Sequence, residues 1–269
     1  MHVLIVQYEP HIGQVARNLA HVSEMLAPYS MSDDIDLLML SEMAFTGYVF
    51  KTRAEVEPLA EVAGAGPTFE WCRHHARRLK CLVTCGYVEK AGGDLYNAMM
   101  VVSPDGDLVC NPRKHFLYET DKSWATPGEC FTSWYCPWLQ KQISFGICMD
   151  INPNDFTAPF EAFEFATQVI PHGSDLVLFA CAWCDFEPPD SDTYPTLSYW
   201  ATRLSPIIDA LQKETYPKED CYFLCSNRIG LENGTFFVGA SCAMSLREPS
   251  LLAQAGRREE LVLQVELPS

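Results

Sequence analysis

Strand-like apolar runs and amphipathic helical segments alternate along this chain, and this alternation limits the folds open to it. The segment HVLIVQYE (residues 2–9) is a β-rich apolar run, and QVARNLAHVSEMLAPY (14–29) repeats apolar residues at helical spacing. The next run, DLLMLSE (36–42), is continuously apolar, as expected for a strand that is buried on both faces. Such alternation favours an α/β domain, in which helices cover the sheet.

The same patterns predict the elements of the remaining chain. Strands are predicted over 81–90, 95–104, 107–114, 141–148, 175–181, 222–229, 235–246 and 260–267. Helices are predicted over 67–80, 157–170 and 196–214. The second of these has Thr157 as its expected N-cap and Pro159 in its first turn, and the third is expected to kink near Pro206. Asp105 and Gly106 form a strong hairpin signal between two strands.

Composition is consistent with one domain. The chain has 269 residues, 48% of them apolar, which is enough to bury a large core. We see no linker or repeat, so we predict a single α/β domain over residues 1–269, with a mixed sheet or a pair of packed sheets. No apolar run reaches the length of a membrane span, and the N-terminus lacks the basic region and cleavage site of a signal peptide.

The charge and the cysteines narrow the classes of partner and compartment. A formal net charge of −16 argues against nucleic acid and anionic membranes as partners, and it is compatible with a cationic substrate. Twelve cysteines in a chain of this length indicate reduced core thiols and a cytoplasmic protein. The segment CAWC (181–184) has the spacing of a metal or redox pair, but without a second pair or flanking histidines core packing is the favoured interpretation.

Three polar residues stand where predicted strands end. Glu42 ends DLLMLSE, Lys114 ends DLVCNPRK and Cys148 ends KQISFGIC. In α/β sheets, strand ends aim side chains into one crevice. A carboxylate, an ammonium and a thiol there can perform acyl transfer, because the carboxylate takes the thiol proton while the ammonium favours the thiolate and holds the oxyanion. Taken singly, each residue has a plainer interpretation as a surface charge or a core thiol.

The segments around these residues resemble the three signature blocks of the nitrilase, or carbon–nitrogen hydrolase, superfamily. LLMLSEMAFTGY resembles the glutamate block, NPRKHFLY the lysine block and FGICMDINP the cysteine block. The 72 residues from Glu42 to Lys114 and the 34 from Lys114 to Cys148 also match. QYEPHIGQVARNL and NRIGLENGTFFVGASCAM extend the resemblance over the whole chain. The resemblance implies an αββα sandwich of two mixed β-sheets flanked by helices.

Within the superfamily, the segments CMDINPNDFTAPFEAFEFA, YETDKSW and YWATRLSP are most similar to the yeast-type protein N-terminal asparagine/glutamine amidases. That branch implies conversion of N-terminal Asn or Gln to Asp or Glu, with release of ammonia, feeding an N-degron type degradation pathway. The implied roles are base for Glu42, nucleophile for Cys148, and oxyanion donors for Lys114 and the backbone N–H of Met149. No metal or organic cofactor is implied, and the chain is expected to be a monomer or a homodimer.

Two groups of acidic residues have further implied roles. The superfamily has a second glutamate between the lysine and cysteine blocks, and here Glu119, Asp121 and Glu129 compete for that place, with Glu119 favoured. Asp150, in the Cys-x-Asp motif, is expected to be structural. An N-terminal amidase must bind the free α-ammonium of its substrate, and a carboxylate is its natural partner. The candidates lie on the loop after CAWC, where a merely solvated acidic loop is the alternative: Asp185, Glu187, Asp190 and Asp192.

Three other functions compete with this interpretation. The nearest is an amidase of the same superfamily that acts on a small free amide, as omega-amidases do, which would need a cationic anchor for a carboxylate. A true nitrilase has no specific support in the sequence. A non-catalytic interaction protein on the same fold is the alternative from another class, and the intact Glu–Lys–Cys set argues against it.

Overall fold

Two mixed β-sheets form the centre of the molecule. The computed structural model describes residues 1–186 and 191–268. Within these residues the strands are, in chain order, β1 (His2–Gln7), β2 (Leu37–Met39), β3 (Leu82–Ala91), β4 (Asp94–Val102), β5 (Leu108–Cys110), β6 (Thr132–Cys136), β7 (Lys141–Ile147), β8 (Leu176–Cys181), β9 (Tyr222–Asn227), β10 (Ile229–Glu232), β11 (Thr235–Val238), β12 (Cys242–Ser245), β13 (Ser250–Gln254) and β14 (Leu261–Glu266).

Each sheet has parallel strands at its centre and antiparallel strands at its edges. The first has the order β14-β1-β2-β3-β4-β5, and β1, β2 and β3 are parallel neighbours. The second has the order β13-β12-β9-β8-β7-β6, with β7, β8 and β9 parallel. Strands β10 and β11 form a separate hairpin. The parallel strands are buried on both faces, which explains why their sequences are continuously apolar.

Helices cover the outer faces of the sheets. The helices in the described part of the chain are α1 (Val15–Met25), α2 (Arg53–Val56), α3 (Pro67–Leu79), α4 (Glu164–Val169), α5 (Tyr194–Arg203) and α6 (Ser205–Gln212). One face of β1 and β2 packs with α1 and α3, and residues such as Leu4, Leu38 and Trp71 form that core. The opposite face, including Val3 and Leu37, shares a core with the second sheet, which also contacts α4, α5 and α6. The expected αββα sandwich is confirmed.

The helix predicted over 157–170 is wrong over its first half. Residues 154–162 form short 3-10 turns, and α4 begins only at Glu164. Phe163 has a left-handed backbone, with φ of 44°, which interrupts a helix. The buried guanidinium of Arg203 donates to the carbonyl oxygens of Ile151 and Phe160, so these groups are satisfied without a continuous helix.

Other boundaries follow local backbone geometry. The helix predicted over 196–214 is divided into α5 and α6 at Leu204, beside Pro206, as expected. The predicted strand over 235–246 is two strands, because Gly239 and Ala240 adopt positive φ between them. The Asp105–Gly106 turn joins β4 to β5, and Gly106 has φ of 86°. Strands β6 and β13 were not predicted, and the strand predicted over 222–229 corresponds to β9 and reaches only the first residue of β10. Within the described ranges, none of the helices combines the length and hydropathy that a membrane crossing requires.

Candidate active site

Glu42, Lys114 and Asp121 form a buried charge cluster at the ends of strands of the first sheet. Lys114 Nζ lies 2.7 Å from Glu42 Oε1 and 2.5 Å from Asp121 Oδ2, and all three side chains are shielded from solvent. Burying charges is costly unless they are paired and hydrogen-bonded, and here one ammonium serves two carboxylates. The cluster therefore holds a fixed ammonium beside a fixed carboxylate in a site that is shielded from water.

Glu42 is aimed by the turn that follows β2, not by the strand itself. The strand ends at Met39, and Met43 has a positive φ of 46° that turns the chain. Strand β3 supports this turn through Gly86, because a Cβ there would lie 2.5 Å from the carbonyl oxygen of Ser41 and 2.6 Å from the Cα of Glu42. Ala44 N–H also donates to the Gly86 carbonyl at 2.9 Å. A glycine in β3 is thus needed for the Glu42 backbone to pack directly on the sheet.

Two further groups fix the Glu42 carboxylate. Asn97 Nδ2, on β4, donates to Glu42 Oε1 at 2.7 Å and to Asp121 Oδ1 at 3.2 Å. The backbone N–H of Ala182, just after β8, donates to Glu42 Oε2 at 2.7 Å, so the second sheet also holds this carboxylate. The sequence interpretation missed Asn97, although a lone amide in the apolar strand LYNAMMVV was an available signal.

A buried ion pair on the β10–β11 hairpin supports the loop after Glu42. Glu232 Oε1 accepts the backbone N–H groups of Tyr48 at 2.7 Å and Val49 at 2.5 Å. Its Oε2 pairs with Arg228 at 2.6 Å, and the Arg228 guanidinium stacks 4.0 Å from the Phe237 ring centroid. Since Tyr48 also donates to Asp121 at 3.3 Å, this hairpin is connected to the charge cluster.

We expect Glu232→Gln to lower the free energy of unfolding by about 3–5 kcal/mol, because Arg228 would keep a buried charge without its counterion. Urea denaturation measures this value. The matched control is Asp209→Asn, which breaks an exposed i,i+4 pair with Lys213 and should cost less than about 1 kcal/mol. Equal urea midpoints for the two variants would show that the buried pair does not hold the hairpin.

Cys148 begins a tight turn directly after β7. Its φ is 45°, a left-handed conformation that is uncommon for residues other than glycine, and it starts a 3-10 turn over Cys148–Ile151. The first N–H groups of such a turn have no acceptor within it, which leaves the Met149 N–H available beside the thiol. Cys148 is 8% exposed. The turn therefore presents its thiol and the neighbouring Met149 N–H to the same small accessible region.

Asp150 joins the lysine segment to the cysteine segment. Its Oδ1 accepts the backbone N–H groups of His115 at 3.0 Å and Phe116 at 2.8 Å, and its Oδ2 accepts that of Ile147 at 2.8 Å. Burial raises the pKa of Asp150 to about 6, although these hydrogen bonds oppose the rise. The side chain therefore sets the distance between the Lys114 and Cys148 segments, as the structural interpretation of Cys-x-Asp predicts.

The surroundings of Cys148 and Lys114 favour a protonated thiol and a charged ammonium in the resting enzyme. A hydrogen bond with Cys181, burial and the Glu42 carboxylate raise the pKa of Cys148 well above its ordinary value, against the opposing effect of Lys114. Burial lowers the pKa of Lys114, but Asp121 and Glu42 more than offset this and raise it well above its ordinary value. Burial likewise raises the pKa of Glu42. A thiol in this site needs a base when it reacts, and a carboxylate with a raised pKa is suited to that role.

Cys148 lines a pocket of about 370 Å³ with aromatic walls. Tyr118, Phe156, Trp183, Phe186 and Tyr199 line it. Phe156 and Phe186 are 57% and 84% exposed, so the pocket opens to solvent. Its size and its opening suit a small group bound at the thiol with a longer chain leaving the pocket.

The structure places Asp121, and not Glu119, beside Lys114. Glu119 and Glu129 are exposed, whereas Asp121 is fully buried and also accepts the backbone N–H of Tyr118 at 3.0 Å. The favoured placement of Glu119 beside Lys114 is therefore wrong, and Asp121 occupies that position. The physical reason is a 3-10 turn over Asp121–Ser123, which turns the aspartate inward and leaves Glu119 on the outer side of the loop.

The candidate ammonium anchors have different surroundings. The Asp185 side chain is 6% exposed, and Arg257 Nη2 donates to both of its carboxylate oxygens, at 2.6 Å and 2.5 Å. Asp192 is exposed and accepts the backbone N–H of Tyr194 at 2.9 Å. Glu187 and Asp190 lie outside the described residues. Within the described ranges, no group of three or more His, Cys, Asp or Glu side chains is arranged to hold a metal ion.

Comparison with known proteins places this geometry in a family. The model of the carbon–nitrogen hydrolase family matches residues 3–158. The protein N-terminal amidase of Schizosaccharomyces pombe is 34% identical over 268 residues, covering 90% of each chain. The protein N-terminal amidase of Saccharomyces cerevisiae is 30% identical over 250 residues, which are 85% of this chain but only 55% of that protein.

The fold is similar to that of solved amidase structures. A solved structure of an N-terminal amidase with an Asn-Glu-Ala peptide superposes with a TM-score of 0.86. The superposition covers 100% of this chain and 99% of the other, at 20% sequence identity. The chain therefore belongs to the carbon–nitrogen hydrolase family and is an amide-hydrolysing enzyme of that family.

Proposed function

We propose that this chain is a protein N-terminal amidase, which converts N-terminal Asn or Gln of a polypeptide to Asp or Glu and releases ammonia. The observation that carries the proposal is a buried Glu42–Lys114 pair whose charges influence the pKa of Cys148, which lines a pocket that opens to solvent. The likeness to two N-terminal amidases over 85–90% of this chain supports the choice of substrate.

In the proposed mechanism, Glu42 takes the proton of Cys148 as the sulfur attacks the side-chain amide carbon of the substrate. Lys114 and the Met149 N–H stabilise the oxyanion of the tetrahedral intermediate. Glu42 returns the proton to the amide nitrogen, the C–N bond breaks and ammonia leaves, so a thioester remains on Cys148. Glu42 then takes a proton from water, which attacks the thioester and releases the acid product together with the free thiol.

The charge of the pocket favours a peptide over a small free acid. A small acid with an amide, the substrate of an omega-amidase, needs a cation to hold its carboxylate. Among the described residues that line the pocket, none is Lys, Arg or His. A peptide substrate brings an α-ammonium instead, which a carboxylate binds.

Asp185 is the better placed of the two described anchor candidates. It lies between Cys184 and Phe186, which both line the pocket, and it is only 6% exposed. Arg257 shares its charge, so Asp185 would bind an ammonium as part of that pair. Asp192 is exposed, so water competes with a substrate ammonium for its carboxylate and weakens the pair.

The proposed setting is the cytosol, with the product entering an N-degron type degradation pathway. All twelve cysteines are free thiols, which fits a reducing compartment. The reaction leaves an acidic residue at the N-terminus of the substrate, which is the chemical signal that such a pathway would read.

The proposal is tested by ammonia release from matched peptides that start with Asn, Gln or acetyl-Asn, and from free glutamine. We expect the acetylated peptide to react at least about 10²-fold more slowly than the free Asn-peptide. Loss of a charge-assisted contact costs about 1.5–3 kcal/mol, and the acetyl group adds a steric clash. Asp185→Asn should lower kcat/KM only for the free peptides, with Asp192→Asn as the exposed control. Equal rates for acetylated and free peptides would reject the N-terminal amidase and favour the small-amide enzyme.

A further inference from the structure

The CAWC segment places two thiols around the candidate nucleophile. Strands β7 and β8 are parallel neighbours, and Ile147 lies opposite Ala180. Cys148 and Cys181 are the next residues after this pair along the two strands. Both side chains belong to the same buried core cluster and each influences the pKa of the other, and Cys181 Sγ lies 3.8 Å from Cys225 Sγ. Cys184 stands on the pocket wall. The motif that the sequence leaves as core packing is thus part of the surroundings of Cys148.

The spacing of Cys148 and Cys181 is compatible with a disulfide. Neighbouring strands lie about 4.8 Å apart, which falls within the Cα···Cα range of about 4.4–6.8 Å found for disulfides. Cys148 directly follows the last paired residue of β7, Cys181 follows its partner Ala180 in β8, and both side chains belong to one buried core cluster. Cys148 is reached from the pocket, whereas Cys181 is fully buried beneath it. A small oxidant therefore meets Cys148 first, with Cys181 as the thiol in contact behind it.

We propose that Cys148 and Cys181 form a peroxide-sensitive thiol pair, in which Cys181 resolves oxidised Cys148 as a disulfide. In the first step Glu42 takes the thiol proton of Cys148 and the sulfur attacks a peroxide oxygen, so an S–O bond forms, the O–O bond breaks, and the leaving hydroxide takes the proton from Glu42 and departs as water. In the second, the Cys181 sulfur attacks the Cys148 sulfenic acid, so the S–S bond forms, the S–O bond breaks and a second water leaves with the Cys181 proton. Two thiols are oxidised and one peroxide is reduced.

The consequence is a reversible loss of activity. While the disulfide exists, Cys148 has no free thiol for the amide, and a dithiol restores both thiols by exchange. Without Cys181, the sulfenic acid reacts further with peroxide to the sulfinic acid, which a dithiol does not reduce. Cys184 is a poorer resolving thiol, since it packs with Tyr118 against a different core cluster from that of Cys148 and its backbone bridges to Phe237.

The inference uses the reactivity of Cys148 in the proposed function, but its main readout needs no substrate. The full chain and three variants, Cys181→Ala, Cys184→Ala and Cys225→Ala, are treated with hydrogen peroxide and then with dithiothreitol. Intact and peptide mass spectrometry follow the thiols, and ammonia release is scaled to the untreated activity of each variant. Cys225→Ala controls for removing a buried thiol beneath the site without a contact to Cys148.

We expect the wild type to lose two hydrogens and to yield a linked peptide pair containing Cys148 and Cys181. After dithiothreitol it should recover at least about tenfold more activity than Cys181→Ala, whose Cys148 should carry two added oxygens. Cys184→Ala and Cys225→Ala should behave as the wild type. The proposal is overturned if wild-type Cys148 gains oxygens without the disulfide, or if Cys184→Ala rather than Cys181→Ala loses recovery. The disulfide and the added oxygens can be measured by mass even if no Asn- or Gln-peptide is hydrolysed. Failure of the thiol-pair proposal can therefore be distinguished from failure of the proposed amidase function.

Discussion

Replacement of Cys148 by serine is expected to lower kcat on Asn- and Gln-peptides by at least about 10³-fold while the protein stays folded. A serine hydroxyl fits the space of the thiol but is a far weaker nucleophile, and the Glu42 carboxylate is matched to a thiol proton. The turn that holds the residue does not depend on sulfur, because Asp150 fixes it through backbone N–H groups. Ammonia release measures the rate, and circular dichroism with urea denaturation checks the fold.

The matched control is Cys130→Ser, which makes the same change at an exposed cysteine. Its rate should equal that of the wild type. A Cys148→Ser rate within about tenfold of the wild type would remove Cys148 from the nucleophile role. Loss of folding in Cys148→Ser would be recognised from the urea curve and would call for Cys148→Ala as a second variant.

The sequence was sufficient for the sheet centres and for the central residues of the site. Strands buried on both faces are continuously apolar, so β2, β7 and β8 were recognisable, and polar residues after them stood out. The expectation that Glu42 and Lys114 converge is met by their 2.7 Å contact. Glu42 and Lys114 nevertheless lie beyond the strands, in turns whose shape depends on Gly86 and on pairing with Asn97.

The residues that pair with the site residues were less predictable, because contacts between distant parts of the chain leave no mark on the local sequence pattern. Asp121 and Glu119 stand two positions apart in a loop without periodicity, and only the inward turn after Thr120 selects the aspartate. Asp185 pairs with Arg257 across 72 positions of sequence, so its neutralisation was not visible on the loop. In both cases tertiary packing, and not local propensity, decides the role.

The two carboxylates around Lys114 explain why the site has one ammonium and a protonated thiol at rest. Asp121 and Glu42 hold the lysine charged, while the same Glu42 charge opposes ionisation of Cys148. Moving the thiol proton to Glu42 removes that repulsion and leaves the thiolate facing Lys114 alone. The proposed proton transfer therefore improves the electrostatics of the site at the moment when the nucleophile forms.

Glu42→Gln is expected to lower kcat/KM by about 10²–10⁴-fold, since general-base catalysis contributes that amount. Burial raises the pKa of Glu42, and a base acts only when ionised. Wild-type kcat/KM should therefore fall as the pH drops through a value above the ordinary 4.5 of glutamate, and the residual rate of the variant should lack this acidic limb. The pH profile of ammonia release measures both effects, and Glu119→Gln, an exposed change in the Lys114 segment, should keep the wild-type profile.

Mass spectrometry separates a missing base from a merely disturbed site. If Glu42 activates the thiol, Glu42→Gln mixed with an Asn-peptide should show no acyl-enzyme on Cys148, because the first step fails. Rapid accumulation of that adduct would mean that another group is the base for thioester formation. Glu42 would then act only in activating the water that hydrolyses the thioester. Glutamine has one acceptor oxygen, so it cannot serve both Lys114 and the Ala182 N–H as the carboxylate does. Urea denaturation must therefore show a folded variant before its loss of rate is assigned to the missing carboxylate.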